Sequence, residues 1–284
     1  MNNIQKNRWK DQMFKFWGIF CTLIGVVLLV IFIGNIIIDG ISRINWDFII
    51  DLPSRKPENS GIYTALMGSI WILLLTTVIA FPVGVAAGIY LEEYSKKNKL
   101  SGLLEINISN LAGVPSIIYG LLGLEVFVRI MGLGPSVLAG SLTLSLLILP
   151  IVIVATREAI KAVPSSIKDA SYALGASKWQ TIWHQILPAS GGGILTGVIL
   201  ALSRAVGETA PLIVVGALAY VPFAPQGPLD EFSVLPIQIF NWISRPQAGF
   251  IENAAAAIII LLGITFIMNG VAVYFRNKWQ KKWK

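Results

Sequence analysis

Six stretches of this sequence are apolar over the thickness of a lipid hydrocarbon core: roughly 16–38, 62–91, 105–128, 133–155, 189–219 and 253–275. A spanning helix needs about 20 predominantly apolar residues at about 1.5 Å rise each. Hydrocarbon offers no water to backbone N–H and C=O groups, so each stretch must satisfy its own as a helix. The expectation is an all-α integral membrane protein with six transmembrane helices. Composition agrees: 55% of the 284 residues are hydrophobic and only 13% are charged, against about 25% charged in a soluble domain. The first stretch has no small-residue cleavage site of the A-x-A kind, so it reads as a retained helix rather than a signal peptide.

The placement of Lys and Arg sets the orientation, because cytoplasmic loops carry the excess. With the N-terminus inside, 16 of the 22 bases fall on the cytoplasmic side: Lys6, Arg8, Lys10, Lys15, Lys96, Lys97, Lys99, Arg157, Lys161, Lys168, Lys178, Arg276, Lys278, Lys281, Lys282 and Lys284. Arg43, Arg55, Lys56, Arg129 and Arg245 fall outside. Both termini are therefore expected to be cytoplasmic, and most of the +7 net charge is an orientation signal. Bases this sparse make no face for phosphate backbones, so nucleic acid is not an expected partner and membrane lipid is. A single cysteine, Cys21, and a single histidine, His184, supply neither a disulfide framework nor a metal cluster. The outer loop 220–252 holds five prolines, with room for a short interfacial helix from Val234 to Ile243 that would carry Trp242 at the headgroup level.

The inner loop 164–188 reads as two short helices. Pro164 followed by Ser166-Ile-Lys-Asp169 has capping-box spacing, and Gly175 is a natural left-handed stop. Ser177 can cap the second helix, whose apolar residues Trp179, Ile182, Trp183, Ile186 and Leu187 form one stripe before Pro188 ends it. Such a pair can lie on the bilayer surface or dock a partner protein.

Three features break the apolar runs. Gly113 and Pro115 interrupt the third. Gly84 and Gly88 in the second, and Gly193 and Gly197 in the fifth, have the small-x-x-x-small spacing of close helix contacts. The sharpest is Ser203-Arg-Ala-Val-Gly-Glu-Thr-Ala-Pro211, which puts Arg204 and Glu208 at the middle of the fifth span. A charged side chain at mid-bilayer costs on the order of 2.5–3.5 kcal/mol. On a helix the two would share a face, about 6 Å apart along the axis, each offsetting the other's desolvation. Two readings stand: an ion pair that joins helices, or an anion path in which the Arg204 fork takes a tetrahedral oxyanion and Glu208 holds the fork when the anion is absent. Glu125 and Arg129, four apart near the outer end of the third stretch, read as a rim ion pair.

The segment Asp169-Ala-Ser-Tyr-Ala-Leu-Gly-Ala-Ser-Lys-Trp-Gln-Thr-Ile-Trp-His-Gln-Ile-Leu-Pro188 resembles the cytoplasmic coupling motif of ABC importer membrane subunits, with Asp169 for the commoner Glu and Ser171 for a second Ala. The strings NLAGVPSIIYGLLGL at 110–124 and ALSRAVGETAPL at 201–212 look like signature segments of phosphate-specific ABC importer permeases, nearer the PstA-type than the PstC-type subunit. The resemblance implies a permease core over 61–284 with its coupling loop at 164–188, preceded by residues 1–60 with the first span. It implies an ATPase contact through Asp169, Ala170, Gly175, Trp179, Ile186, Leu187 and Pro188, and a phosphate path involving Arg204, with Glu208, Thr209, Ser116 and Tyr119 as further candidates. Expected partners are a PstC-type second permease, an ATP-binding subunit dimer and an extracytoplasmic phosphate-binding protein, in a bacterial plasma membrane. The sequence has no G-x-x-x-x-G-K-[ST] loop, so this chain is not expected to be an enzyme or to bind a cofactor, and ATP with Mg²⁺ would sit on the partner. Permeation of another oxyanion, such as molybdate or sulfate, or a structural subunit with no path of its own, are the alternatives.

Overall fold

A computed structural model describes residues 3–96, 98–217 and 220–281. Lys97, Lys282 and Lys284 of the inner-face set lie outside the described residues, as does the end of the 189–219 stretch. The regular elements among the described residues are all helices, without a strand. In order they form α1 (Asn3–Gly40), α2 (Trp46–Ile50), α3 (Tyr63–Ile89), α4 (Lys99–Leu111), α5 (Ser116–Gly123), α6 (Val137–Lys161), α7 (Ser165–Ala173), α8 (Lys178–Thr181), α9 (Leu187–Val206), α10 (Ala210–Val215), α11 (Leu235–Ile243) and α12 (Ala248–Lys281). Wide π-helical turns extend α3 to Tyr94 and α5 to Ile130, and join α8 to α9. Among the described residues, five helices are long and apolar enough to cross a membrane, and α4 with α5 makes a sixth if that bent pair counts as one.

Helix α6 is the axis of the body, with α3 on one face and α9 on another. The paired glycines make this possible, as their spacing suggests. Gly84 and Gly88 seat Val152 and Thr156, while Gly193 and Gly197 seat Ala159 and Ala155. A Cβ on Gly197 would lie 2.1 Å from the Ala155 Cβ, so backbone proximity depends on the missing side chain. Three buried hydroxyls of α6 are satisfied within their own helix: Ser141, Thr143 and Ser145 donate to the carbonyls of Val137, Ala139 and Ser141 at 2.7–2.8 Å. By contrast the apolar window of α1 buries none of its residues and touches the body mainly along α12.

Two of the spans differ from the sequence expectation. The third is not one helix: α4 and α5 meet at 101° across Ala112–Pro115. Proline lacks an N–H and drives the residue before it out of the α region, so Gly113-Val114-Pro115 ends one helix and starts another in a new direction. The fifth stops at Val206, and Gly207 and Glu208 close short turns onto the Arg204 and Ala205 carbonyls at 3.2 and 3.3 Å. Arg204 is thus in the last turn of α9 and not at mid-span, and Glu208 lies beyond the helix.

The α2–α11 end closes on itself. Helix α11 forms where the short interfacial one was anticipated, but Trp242 is fully buried between Phe48 and Phe250, at ring distances of 6.0 and 6.3 Å, and is not at a headgroup surface. The prolines before α11 aim it back onto the first turns of α3 and α12, where Ile62, Ala65 and Ala254 pack against it. Arg43 locks this cap: its Nε donates to Asn253 Oδ1 at 2.7 Å, its Nη2 donates to the Pro57 carbonyl at 2.7 Å, and Asn253 Nδ2 donates to the same carbonyl at 2.9 Å.

Candidate functional site

The break between α9 and α10 brings the Arg204 pair to a junction of helices. Arg204 Nε donates to Glu208 Oε1 at 3.2 Å, with 43% of the arginine side chain and 16% of the glutamate exposed. The pairing survives the loss of the helical face because the turns at Gly207 keep the two residues one turn apart. The carboxylate is tucked beside Ser69, Ile72 and Leu73 of α3, and the guanidinium reaches outward. Position adds to the balance: a cation in the last turn of a helix meets the partial negative charge of the free carbonyls there. Gly207 is exposed, and nothing but the Arg204 carbonyl, at 4.0 Å, would meet a Cβ there.

Helix α5 forms the other wall. Gly120 lets Pro211 of α10 approach within van der Waals contact, and Gly123 does the same for Thr143 of α6. Tyr119 is 7% exposed and its hydroxyl donates to the Leu111 carbonyl at 2.8 Å, so it braces the bend between α4 and α5. Ser116 opens α5 and is half-buried, and Thr209 is half-buried with its hydroxyl 3.4 Å from the Gly207 carbonyl. Of these site residues Arg204 and Glu208 are brought into direct contact, while Tyr119 is turned to the α4–α5 bend. Arg129 and Glu125 pair at 2.9 Å on the extension of α5, both more than half exposed.

The 164–188 loop is the second feature. Its first helix starts at Ser165 with Pro164 at the cap and no side-chain capping bond, so the box read at Ser166 and Asp169 does not form. Gly175 takes φ +82°, the expected left-handed stop. Ser177 caps α8 in a full box with Gln180. Pro188 does not end the helix. A wide turn over Ile182–Ile186, with Leu187 N–H on the Ile182 carbonyl, accommodates the proline's missing donor and passes the chain straight into α9.

That turn also divides the anticipated apolar stripe. Ile182 and Ile186 are buried against Ile160 of α6, whereas Trp179 and Trp183 stay 61% and 56% exposed and stack on each other at 5.7 Å. Asp169, Ala170 and Gly175 are exposed, and Leu187 and Pro188 are half-buried. Sequence reasoning missed Leu174, which is 89% exposed at the crest between α7 and α8. Its signal was an apolar residue directly before a helix-stopping glycine. The loop is held in place by polar ties: Ser171 and Thr181 hydroxyls at 2.9 Å, Lys168 to Glu93, and Lys178 Nζ 4.9 Å above the Tyr94 ring. His184 is exposed, with Nδ1 3.0 Å from the Gln180 carbonyl.

Known proteins resemble this chain along most of its length. Residues 80–281 match the family model described as the binding-protein-dependent transport system inner membrane component. A probable ABC transporter permease protein, YqgI of Bacillus subtilis, is 33% identical over 88% of this chain and 90% of its own length. The phosphate transport system permease protein PstA of Yersinia pestis is 33% identical over 95% of this chain and 92% of its own. In fold, the chain resembles one in the crystal structure of a bacterial alginate ABC transporter bound to an alginate-pentasaccharide-loaded periplasmic protein, at a TM-score of 0.65 and 12% identity, covering 93% of this chain and 95% of that one. With a family model over more than half its length and relatives this similar end to end, the chain belongs to the inner-membrane permease components of binding-protein-dependent ABC transport systems.

Proposed function

We propose that this chain is the PstA-type permease subunit of an ATP-driven phosphate importer in a bacterial plasma membrane, forming half of the path beside a PstC-type subunit. The observation that carries this reading is the Arg204–Glu208 pair at the α9–α10 break. Glu208 holds Nε of a half-exposed guanidinium, which leaves the Nη face of the fork for a tetrahedral oxyanion. The anion would take over the fork, and the hydroxyls of Thr209 and Ser116 would offer it further partners. The similarity to PstA of Yersinia pestis, along nearly all of both chains, supports phosphate as that anion.

In this reading the membrane is crossed six times, with α4 and α5 counted once, and both termini are cytoplasmic, in keeping with the distribution of bases. Residues 61–284 are the permease core and residues 1–60 an added first span. A phosphate-binding protein delivers the anion at the α2–α11 end. At the opposite end the loop 164–188 seats on the ATP-binding dimer through the surface around Asp169, Ala170, Gly175 and Trp179, with Ile186, Leu187 and Pro188 fixing its root. ATP and Mg²⁺ belong to that dimer, so this chain contributes transport without catalysis.

The test is uptake of labelled phosphate into vesicles holding the full complex. Arg204→Gln removes a charged hydrogen-bonding fork worth about 2–3 kcal/mol, so uptake should fall roughly 100-fold with assembly unchanged. Full uptake by the variant would sink the reading. Stronger competition by molybdate or sulfate than by unlabelled phosphate would reassign the substrate.

A further inference from the structure

Another arginine, buried at the opposite end of the body from the α2–α11 cap, links elements that no sequence motif joins. Arg157, in α6, is 8% exposed. Its Nη2 lies 3.0 Å from Glu105 Oε1 of α4, and its Nε lies 3.5 Å from Glu92 Oε2, in the wide turn that ends α3. That Nε has no hydrogen bond of good geometry, so Glu92 holds it by charge alone. Lys161, one turn further along α6, shares Glu105 at 3.6 Å and Glu158 at 2.9 Å. Arg157, Lys161, Glu92 and Glu105 line a polar pocket of about 270 Å³ with Ser95 and Asn98, which leaves room for the side chains to re-pair.

The neighbour of Glu92 faces the other way. Glu93, with a side chain 6% exposed, pairs with Lys168 of α7, and Tyr94 lies beneath Lys178. The Tyr90–Tyr94 turn is therefore gripped on one side by the 164–188 loop and on the other by Arg157. From Arg157 the connection continues through Glu105 into α4, across the 101° bend braced by Tyr119, and into α5, whose Gly120 rests on Pro211 beside the Arg204 break. The Tyr90–Tyr94 turn is a single π turn at the end of an α-helix, a local departure from α geometry often met at functional sites.

We propose that Arg157 is a positioning residue for transport: through Glu92 and Glu105 it transmits displacement of the 164–188 loop to the α4–α5 pair, and so to the opening at Arg204. This rests on the proposed function, in which an ATPase moves that loop. A residue with a purely structural role would affect folding and assembly. One that carries motion would instead alter the anion moved per ATP hydrolysed.

The experiment uses the whole reconstituted complex, permease pair, ATPase and binding protein, in liposomes. Arg157→Gln is expected to lower phosphate moved per ATP by about 10-fold, within the usual range of coupling between sites, while hydrolysis stays within about twofold. Arg157→Lys, which keeps the charge but not the fork, should recover part of the ratio. Glu105 is 45% exposed, so Glu105→Gln should fold and still lower the ratio. A second readout does not depend on the substrate: maleimide labelling of Leu122→Cys on α5, in a Cys21→Ser background, with and without ATP. The labelling rate should respond to ATP when Arg157 is present and lose that response in Arg157→Gln and Glu105→Gln. Variants with the wild-type ratio and the wild-type ATP response overturn the proposal, and if Arg157→Gln does not assemble, Glu105→Gln decides by the same two measurements. A wild-type complex that takes up no phosphate would defeat the proposed function alone, since the labelling response still decides the role of Arg157.

Discussion

The two ends of this molecule use the same parts to opposite effect. At the α2–α11 end, Trp242 of short helix α11 packs between Phe48 of α2 and Phe250 at the start of α12, each 1% exposed or less, and Arg43 spends its donors on the protein's own carbonyls and on Asn253. At the α7–α8 end, short helices again carry tryptophans, but Trp179 and Trp183 stack on each other in the open and Leu174 stands 89% exposed. The polar ties there, Lys168 to Glu93 and Ser171 to Thr181, lie beneath this crest and fix it in position. One end has completed its own core. The other leaves an apolar surface uncovered, which under the proposed function is the anchor that the ATP-binding dimer buries.

Breaking that contrast is easiest at the closed end, where the effect should be largest. Trp242→Ala leaves a cavity among Phe48, Phe250 and Leu235, and a buried Trp→Ala change costs about 3–5 kcal/mol. Thermal unfolding in detergent should show a lowered midpoint and reduced yield of the assembled permease; an unchanged midpoint would mean this end has no core of its own. At the open end the same kind of truncation should do the reverse. Trp179→Ala and Leu174→Asp should move stability by less than about 0.5 kcal/mol. They should weaken binding of the ATPase to the permease pair in nanodiscs by roughly 10–30-fold, as loss of an interface anchor does. Loss of stability without loss of binding would erase the distinction between the two ends.

The long helices were legible in the sequence because lipid imposes length and composition together. The glycine pairs were legible because close backbone approach demands small residues at fixed spacing, and Val152, Ala155, Thr156 and Ala159 fill the places they leave. Breaks were legible in position and not in size: Pro115 announces an interruption, but its 101° depends on what α4 packs against. Pro188 shows the limit of local rules, since a wide turn absorbed it and the helix went on. Trp242 was misplaced because an aromatic at the edge of an apolar run has the same signature whether it faces headgroups or Phe48. The Arg204–Glu208 pair was found because charge inside an apolar run is rare. Arg157 was not, because its partners Glu92 and Glu105 lie more than 50 residues away in sequence and the cluster exists only in three dimensions.

The smallest expected effect lies at Arg129 and Glu125, and it tests whether burial or location decides. The pair belongs to the extension of α5, whose chain leads into the segment that starts α6, where Val137 and Leu138 bond the Asp230 and Pro228 carbonyls at 3.0 and 2.7 Å. It therefore shares the end that Trp242 and Arg43 close. Its geometry is good, 2.9 Å at i and i+4, yet the side chains are 65% and 57% exposed, so water competes for each charge. Exposed pairs of this kind contribute about 0.3–0.5 kcal/mol and weaken with salt. Arg129→Ala should accordingly leave the unfolding midpoint of the isolated chain within about 0.5 kcal/mol of wild type. The same change measured in the assembled complex sharpens the contrast: a larger loss there than in the isolated chain would mean that a partner subunit covers this rim, and would extend the uncovered surface from the α7–α8 end to the flank of α5.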